Sequence, residues 1–239
     1  MALPVLNEHP KYEVVIPSSN TKTTFRPYLV KEEKVLLMAS ETGDENLIAK
    51  ATIDLIKSCV DEKIDEKNIT IFDMEYLFCQ IRAKSVGETA NVILYCNDES
   101  CRHENLVSIP LDKVEVKDRG LVSNIIDLTP DVKIEMRYPS YYGIVNNEFM
   151  RESESDVEKL YHTILSCIKA IQTDDERILA DNESYEELVN FVNNMTSEQY
   201  EKLQQFVLSS PMVSMEHKWT CEKCGKNQST ELRGLQDFF

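Results

Sequence analysis

Apolar and polar positions near the start of the chain predict a small β element. The segments YEVVIPSS (12–19) and KTTFRPYLV (22–30) are rich in β-branched and aromatic residues, and polar turn residues separate them. Pro17 and Pro27 limit both segments to edge strands or extended arms, because proline has no backbone N–H to donate. The first thirty residues are therefore expected to form a short strand pair.

Three helices are predicted after this element. The first begins in VKEEKVLLMASE, where Val30, Leu37 and Met38 are apolar. The second, over about residues 44–62, carries an apolar stripe at helical spacing. The members of that stripe are Ile48, Thr52, Leu55, Ile56 and Cys59. Asp73 is the predicted N-cap of the third helix, MEYLFCQIRAKS.

The pattern changes to β at Asn91. NVILYC and CRHENLVSI are strand-like runs on either side of the polar turn NDES, so a hairpin with Cys96 and Cys101 at the edges of its tip is expected. Further on, DVKIEMRYP (131–139) alternates apolar and charged residues, which is typical of a half-buried strand.

The stretch 153–210 is predicted to be helical. Three capping-box pairs mark helix starts, namely Ser155 with Glu158, Ser184 with Glu187 and Thr196 with Gln199. The first helix is expected to carry one long apolar stripe. Its members are Val157, Leu160, Tyr161, Ile164, Leu165, Ile168 and Ile171. TDDERILADN interrupts the helices as a short extended segment, and Pro211 ends the last one.

Together these patterns predict an α+β fold, mainly helical with small antiparallel β elements. Four segments are expected: an N-terminal β arm with helices (1–90), a β region with the first cysteine hairpin (91–152), a helical region (153–212), and a second cysteine knuckle with a tail (213–239). Three cysteines fall among the helical core positions and are interpreted as small buried hydrophobes. These are Cys59, Cys79 and Cys167.

Composition places the chain among ordinary globular proteins. Of its 239 residues, 42% are hydrophobic and 28% charged. No apolar run reaches the roughly 18 residues of a membrane span, and the first residues lack the basic and apolar regions of a secretory signal. The expected compartment is a reducing cytoplasm, where the seven cysteines would be thiols or metal ligands.

The net charge of −16 repels phosphate backbones, and the lysines lie among glutamates, as in KEEK and DEKIDEKN. Nucleic acid is therefore not an expected partner. A solvated acidic surface is the simplest interpretation, and a basic protein partner is the alternative.

Four cysteines form two pairs with the spacing of metal ligands. Cys96 and Cys101 enclose four residues, Cys221 and Cys224 enclose two, and each pair lies between extended segments. Two facing cysteine hairpins would supply the four thiolates of a tetrahedral zinc site, which resembles a zinc ribbon. Glycine after Cys224 suits a knuckle with a positive φ. With all four positions taken by sulfur, such a site is structural and not catalytic.

Other interpretations of the thiols stay open at this stage. Cys221 and Cys224 could be a redox dithiol near Trp219, although GKNQST is a poor helix start. The four thiols could also be unrelated core residues, whereas disulfides are disfavoured without export. His103 and His217 are near enough in sequence to replace a ligand, but a surface or supporting role is expected for both.

No sequence signature of catalysis is present. The chain lacks the nucleophile-elbow, phosphate-loop, zincin and dinucleotide-binding patterns. Its six glycines and four histidines offer little for phosphate binding or acid–base chemistry. We therefore expect a non-enzymatic binding or assembly protein.

A family resemblance gives this expectation a context. The opening MALPVLNEHPKYEVVIPSSNTKTTFRPYLVKEEKVLLMA, the cysteine pairs and the closing LRGLQDFF are similar to baseplate hub subunits and hub assembly factors of T-even-like contractile-tailed bacteriophages. FRPYLVKEEK is the most specific of these segments. The resemblance implies a viral protein made in the bacterial cytoplasm that acts with other baseplate proteins in building the central hub, as a virion component or as a chaperone.

Two other functions remain as alternatives. A cytoplasmic zinc-ribbon adaptor could bind a protein complex such as the transcription machinery, and an enzyme could use the Cys221/Cys224 dithiol.

The segment FRPYLVKEEK is either an interface anchor or packed on the protein's own core. Phe238 and Phe239 are expected to dock on the protein's own core, because terminal phenylalanines in water would forgo burial.

Overall fold

The computed structural model describes residues 9–238 except 66, 121, 146, 148, 150–152 and 154. Phe239 and the opening MALPVLNE lie outside the described residues. The chain forms two compact units. Unit 1 comprises Met1–Ile64, Phe72–Lys117 and Met212–Phe239, and unit 2 comprises Asp65–Ile71 and Asp118–Pro211.

Unit 1 contains three helices and three small antiparallel sheets among its described residues. Its helices are α1 (Val30–Thr42), α2 (Glu45–Cys59) and α3 (Ile71–Ser85), of which Ile71 itself falls in unit 2. Its strands are β1 (Tyr12–Ile16), β2 (Thr21–Phe25), β3 (Thr89–Tyr95), β4 (Glu104–Pro110), β5 (Glu115–Lys117), β10 (Met212–Thr220) and β11 (Asn227–Arg233). They pair as β1–β2, β3–β4 and β11–β10–β5.

The predicted N-terminal strand pair is confirmed, and its last residues pack inward. Phe25 is buried, and the Arg26 guanidinium donates two hydrogen bonds to the Glu32 carboxylate and one to the carbonyl of Ser58. These contacts favour packing on the protein's own core for the FRP part of FRPYLVKEEK.

The prediction that Asp73 is the N-cap of α3 is wrong. The helix begins two residues earlier, at Ile71, and the buried Asp73 carboxylate instead accepts a hydrogen bond of 2.8 Å from the backbone N–H of Ser18. A carboxylate near a helix start satisfies the cap pattern in sequence, but here its partner is a distant turn that local spacing does not show.

The core of unit 1 joins α3, the β3–β4 hairpin and the β11–β10–β5 sheet. Its buried members are Cys79, Ala83, Ala90, Ile109, Leu111, Val114, Val213, Met215, Leu232 and Phe238. Phe238 is completely buried beyond the turn at Gly234, which has a φ of +64°. Docking of the chain's end on its own core is therefore confirmed for Phe238.

Unit 2 is a four-stranded antiparallel sheet covered by helices. The strands, in the spatial order of their numbers, are β6 (Ile125–Thr129), β7 (Val132–Met136), β8 (Ile168–Thr173) and β9 (Arg177–Leu179). The helices are α4 (Tyr141–Val145), α5 (Asp156–Cys167), α6 (Tyr185–Asn193) and α7 (Ser197–Leu208). All three predicted capping boxes are present, at the starts of α5, α6 and α7.

The predicted long stripe of α5 is wrong in its last part. The helix ends at Cys167, and Ile168 and Ile171 belong to β8, which pairs with both β7 and β9. Because β8 is buried, its isoleucines continue the apolar spacing of the helix, and no glycine or proline marks the boundary.

The α+β class is confirmed, but the chain is not mainly helical. Helices make up 41% of it, and the described residues contain eleven strands. The excess of predicted helix lies mainly in 153–210, where β8 replaces the end of the expected helix, whereas β9 lies in the segment TDDERILADN that was predicted to be extended. The four-segment division stays a prediction.

Candidate metal centre

The first cysteine pair lies in a tight turn between β3 and β4. The backbone N–H of Cys96 bonds to the carbonyl of His103, and the N–H groups of Cys101 and Arg102 both bond to the carbonyl of Asp98. Arg102 has a φ of +45°, so the backbone turns sharply directly after the second cysteine. The predicted hairpin with a cysteine at each side of its tip is confirmed.

The second pair occupies a similar knuckle between β10 and β11. The carbonyl of Cys221 accepts the N–H of Gly225, and the N–H of Cys221 bonds to the carbonyl of Lys226. Gly225 has a φ of +68°, as expected from its place after Cys224. Arg102 and Gly225 therefore take corresponding places in two turns of the same design.

The two knuckles bring the four sulfur atoms together. The Sγ atoms all lie within 4.8 Å of one another, with 3.7 Å between Cys96 and Cys224 and 3.9 Å between Cys101 and Cys221. A tetrahedral zinc with Zn–S bonds of about 2.3 Å has sulfurs about 3.8 Å apart. This group, and no other set of three or more His, Cys, Asp or Glu among the described residues, could hold a metal ion.

An apolar floor supports the cluster from one side. Trp219 is buried with Cys96 and Cys221, and Leu94 and Val107 pack against them. Trp219 lies on β10, and its indole Nε1–H donates to the hydroxyl of Thr230 on β11 at 3.0 Å, which holds the ring against β11. Cys224 stays exposed, so one edge of the cluster faces solvent.

Asn105 connects the two knuckles, and its role was not predicted from the sequence. It is buried, donates to the carbonyl of His103 at 2.8 Å, and accepts the N–H of Glu222 at 2.8 Å. One amide side chain therefore bonds to the backbone of both turns. The available signal was its position, since Asn105 lies on the inward face of β4, where Ile109 also lies.

Gln228 and Lys226 add links from the second knuckle to the first. The Gln228 amide donates to the Cys96 sulfur at 3.5 Å and accepts from the N–H of Asn97. Lys226 forms an ion pair with Asp98. Hydrogen bonds to sulfur favour the thiolate form that a metal requires.

The thiols differ in their acidity. Backbone N–H groups, first that of Cys224, lower the pKa of the Cys221 thiol to about 6. Burial is the largest cause that raises the pKa of Cys96. At Cys224 the backbone N–H of Lys226 lowers the pKa, but burial and then the neighbouring thiols outweigh it and raise the pKa to about 11. Cys221 therefore ionises more readily than Cys224, and a cation beside both sulfurs would favour the thiolate form of each.

The remaining cysteines behave as predicted. Cys59, Cys79 and Cys167 are buried, and burial raises the pKa values of their thiols to about 11, 12 and 12. The Cys221–Cys224 pair does not open a helix; β11 follows it at Asn227. Its geometry therefore differs from that of a helix-borne redox dithiol. His103 and His217 are not part of the four-sulfur group.

Comparisons with known proteins agree with the resemblance seen in the sequence. A profile of the family described as T4 bacteriophage base plate protein matches residues 9–239. The "Baseplate hub assembly protein gp26" of Enterobacteria phage T4 is 26% identical over 217 residues, which cover 90% of each chain. No solved structure matches. Since the family profile spans nearly the whole chain, this protein belongs to the T4 bacteriophage baseplate protein family.

Proposed function

We propose that this protein acts without catalysis in the assembly of the central hub of a phage tail baseplate, stabilised by one structural zinc ion. The observation that carries the assembly role is the similarity to the T4 hub assembly protein over 90% of both chains. Similarity of that extent includes both units, so the role is assigned to the whole chain and not to one module.

The zinc part of the proposal rests on the four-sulfur cluster. Cys96, Cys101, Cys221 and Cys224 fill every position of a tetrahedral site, so no position is left for a substrate or a reactive water. The metal would hold the β3–β4 and β10–β11 tips together and would not take part in a reaction. A closed site of this kind suits a protein that presents surfaces to other subunits.

The proposed partners are other baseplate and hub proteins. A net charge of −16 disfavours DNA or RNA as a ligand. Among the described residues, no helix is both long and apolar enough to pass through a bilayer. The proposed place of action is the host bacterial cytoplasm during tail assembly, and a place in the finished baseplate follows if the protein stays bound.

A phage that carries an inactivating mutation in this gene tests the proposal. Hub assembly should stop, and electron microscopy of infected-cell lysates should show few complete baseplates. Cys221→Ser should reproduce the defect, whereas Cys79→Ala should assemble normal tails. Normal baseplates in the absence of the protein would overturn the assembly role.

Quantitative mass spectrometry separates the two forms of this role. A hub subunit is retained in purified virions at a fixed ratio to other baseplate proteins, whereas a chaperone is present in assembly intermediates and is lost from virions.

A further inference from the structure

Helix α1 presents large apolar side chains to solvent. None of its thirteen residues is buried, and Val30, Leu37 and Met38 are 80%, 58% and 58% exposed. Its inner side is used within unit 1, where Glu32 is held by Arg26. A helix that leaves this much apolar surface exposed is unusual in a finished assembly, because such a surface normally lies against another element.

Three of the four exposed apolar residues of α1 share one face, and the fourth, Val35, lies outside it. At about 100° per residue, Val30, Lys34, Leu37, Met38 and Glu41 fall within an arc of about 100°. We call these five residues the α1 face. Along the helix axis, Leu37 and Met38 lie midway between the two charged members, Lys34 and Glu41, and around the axis they form the two edges of the face.

The charges of the α1 face are arranged symmetrically about its apolar centre. Lys34 lies three residues before Leu37, and Glu41 lies three residues after Met38. Among the described residues, neither Lys34 nor Glu41 has an ion pair or a side-chain hydrogen bond. A helix of this design is complementary to a reversed copy of itself, since a twofold axis between Leu37 and Met38 would set each Lys34 against the other Glu41.

We propose that the α1 face binds a second copy of this chain, with the two α1 helices antiparallel. Leu37 and Met38 of both copies would form the apolar centre, and two Lys34–Glu41 ion pairs would close its ends. A different partner would need a matching charge pattern of its own, whereas the self-complementary pattern is already present in this helix. The inference stands on unit 1 alone and does not depend on the role in hub assembly.

The contact area makes the dimer weak. One helix face on each side buries less than the roughly 1,200 Å² of a standard stable interface. Dimerisation should therefore depend on protein concentration. Reversing the charge of Lys34 or Glu41 should change the dissociation constant of the dimer measurably.

Sedimentation velocity of the full-length protein over a range of concentrations tests the proposal. Lys34→Glu or Glu41→Lys alone should weaken dimerisation about tenfold or more, because twofold symmetry doubles each like-charge contact. The double variant should return to the wild-type dissociation constant. Each reversal puts acid near the helix N-terminus or base near its C-terminus, so neither should weaken α1 itself.

Apolar substitutions provide the matched comparison. Leu37→Glu should leave the protein monomeric, whereas Val157→Glu, at a 78% exposed position on α5, should leave the dimer unchanged. Unchanged melting temperatures would show that both proteins remain folded. A wild-type protein that is monomeric at every concentration, a dimer unaffected by Leu37→Glu, or a double variant no better than the single ones would each overturn the proposal.

Discussion

The two cysteine-bearing hairpin tips and the covered sheet of unit 2 are organised by different forces. Three buried residues, Cys96, Trp219 and Cys221, form the apolar cluster at the hairpin tips. Thirteen buried residues form the core of unit 2. Hydrophobic stabilisation grows with the apolar area removed from water. Burial can therefore stabilise the sheet of unit 2, whereas the hairpin tips need an additional stabilising interaction.

The nature of that link also differs between the two regions. The unit 2 core consists of many separate apolar contacts between side chains, so truncating one side chain leaves the remaining contacts in place. At the tips, four sulfurs would share one metal ion, and the loss of any ligand opens the whole site. The comparison therefore predicts graded weakening in unit 2 and abrupt loss at the tips.

Removal of the metal should have the largest effect. Purified protein should contain about one zinc per chain, and metal binding can contribute on the order of 10 kcal/mol to a small zinc site. A chelator, or Cys221→Ser, should abolish amide-exchange protection around residues 94–107 and 218–228 and leave β7 and β8 protected. Cys79→Ala is the control that keeps its zinc, and full zinc in Cys221→Ser would end the assignment.

Truncation in the unit 2 core should have the next largest effect. Phe206 is 1% exposed and stacks on Tyr138 with ring centroids 5.3 Å apart. Phe206→Ala should lower the free energy of unfolding by about 3–5 kcal/mol, from lost burial and the cavity left behind. Zinc content should not change.

Phe238→Ala is the comparison in unit 1 and should instead weaken β10 and β11. Amide hydrogen exchange measured by mass spectrometry would show which unit loses protection in each variant.

A half-buried carboxyl, that of Glu75, gives unit 1 a pH dependence of its own. Burial raises the pKa of Glu75 from 4.5 to about 7, and the backbone N–H of Leu235 is its hydrogen-bond donor at 3.4 Å. Between these pH values the folded protein binds a proton that the unfolded chain does not, so stability contributed by this group falls as pH rises through that range.

Glu75→Gln should remove this dependence and stabilise the protein by roughly 3 kcal/mol above pH 7, while changing little below pH 4.5. Denaturant titrations of both proteins at matched zinc saturation would measure it. The exposed substitution Glu115→Gln serves as control. Parallel pH curves for wild type and Glu75→Gln would show that the carboxyl ionises normally.

The smallest effect is expected at the amide that joins the knuckles. Asn105→Ala removes the acceptor of the Glu222 N–H and one of two donors to the carbonyl of His103, which keeps its bond from the N–H of Cys96; this should cost about 1–3 kcal/mol. Zinc should still bind, with an affinity about 10–100-fold lower. Competition with a chromophoric chelator measures this, and Asn91→Ala, at an exposed position of β3, should bind zinc as the wild type does. Equal affinities for Asn105→Ala would remove Asn105 from the site.

Local patterns in the sequence identified much of this arrangement. The capping boxes at Ser155, Ser184 and Thr196 were found because a helix start is defined by residues three apart. The hairpin at Cys96 and Cys101 and the knuckle at Gly225 were found for the same reason, since turn chemistry is local. The convergence of the two cysteine pairs followed from the ligand count that zinc requires.

What escaped prediction depends on distant contacts. The boundary at Ile168 could not be placed, because a strand buried between two others repeats the apolar spacing of the preceding helix. Asp73 matched a cap but bonds to Ser18, 55 positions away. Asn105 accepts the N–H of Glu222, 117 positions away, and only the folded chain brings the two together.

The separation of the two cysteine pairs has a consequence for how the protein is made. Cys101 and Cys221 are 120 positions apart, and ribosomes add about 5–20 residues per second, so the second pair follows the first after on the order of ten seconds. Residues 118–211, which form most of unit 2, are synthesised during that delay. The growing chain therefore carries half of the four-cysteine cluster while most of unit 2 has already been made.

A chain that stops before Cys221 has only two of the four thiols of the cluster. Two thiols hold zinc less firmly than four, so truncated or nicked products would lose the ion to cellular thiols, and their hairpin tips would stay open to proteases. Full-length molecules alone would retain the metal. Closure of the two hairpin tips would then depend on synthesis of the last part of the chain, where Cys221 and Cys224 lie.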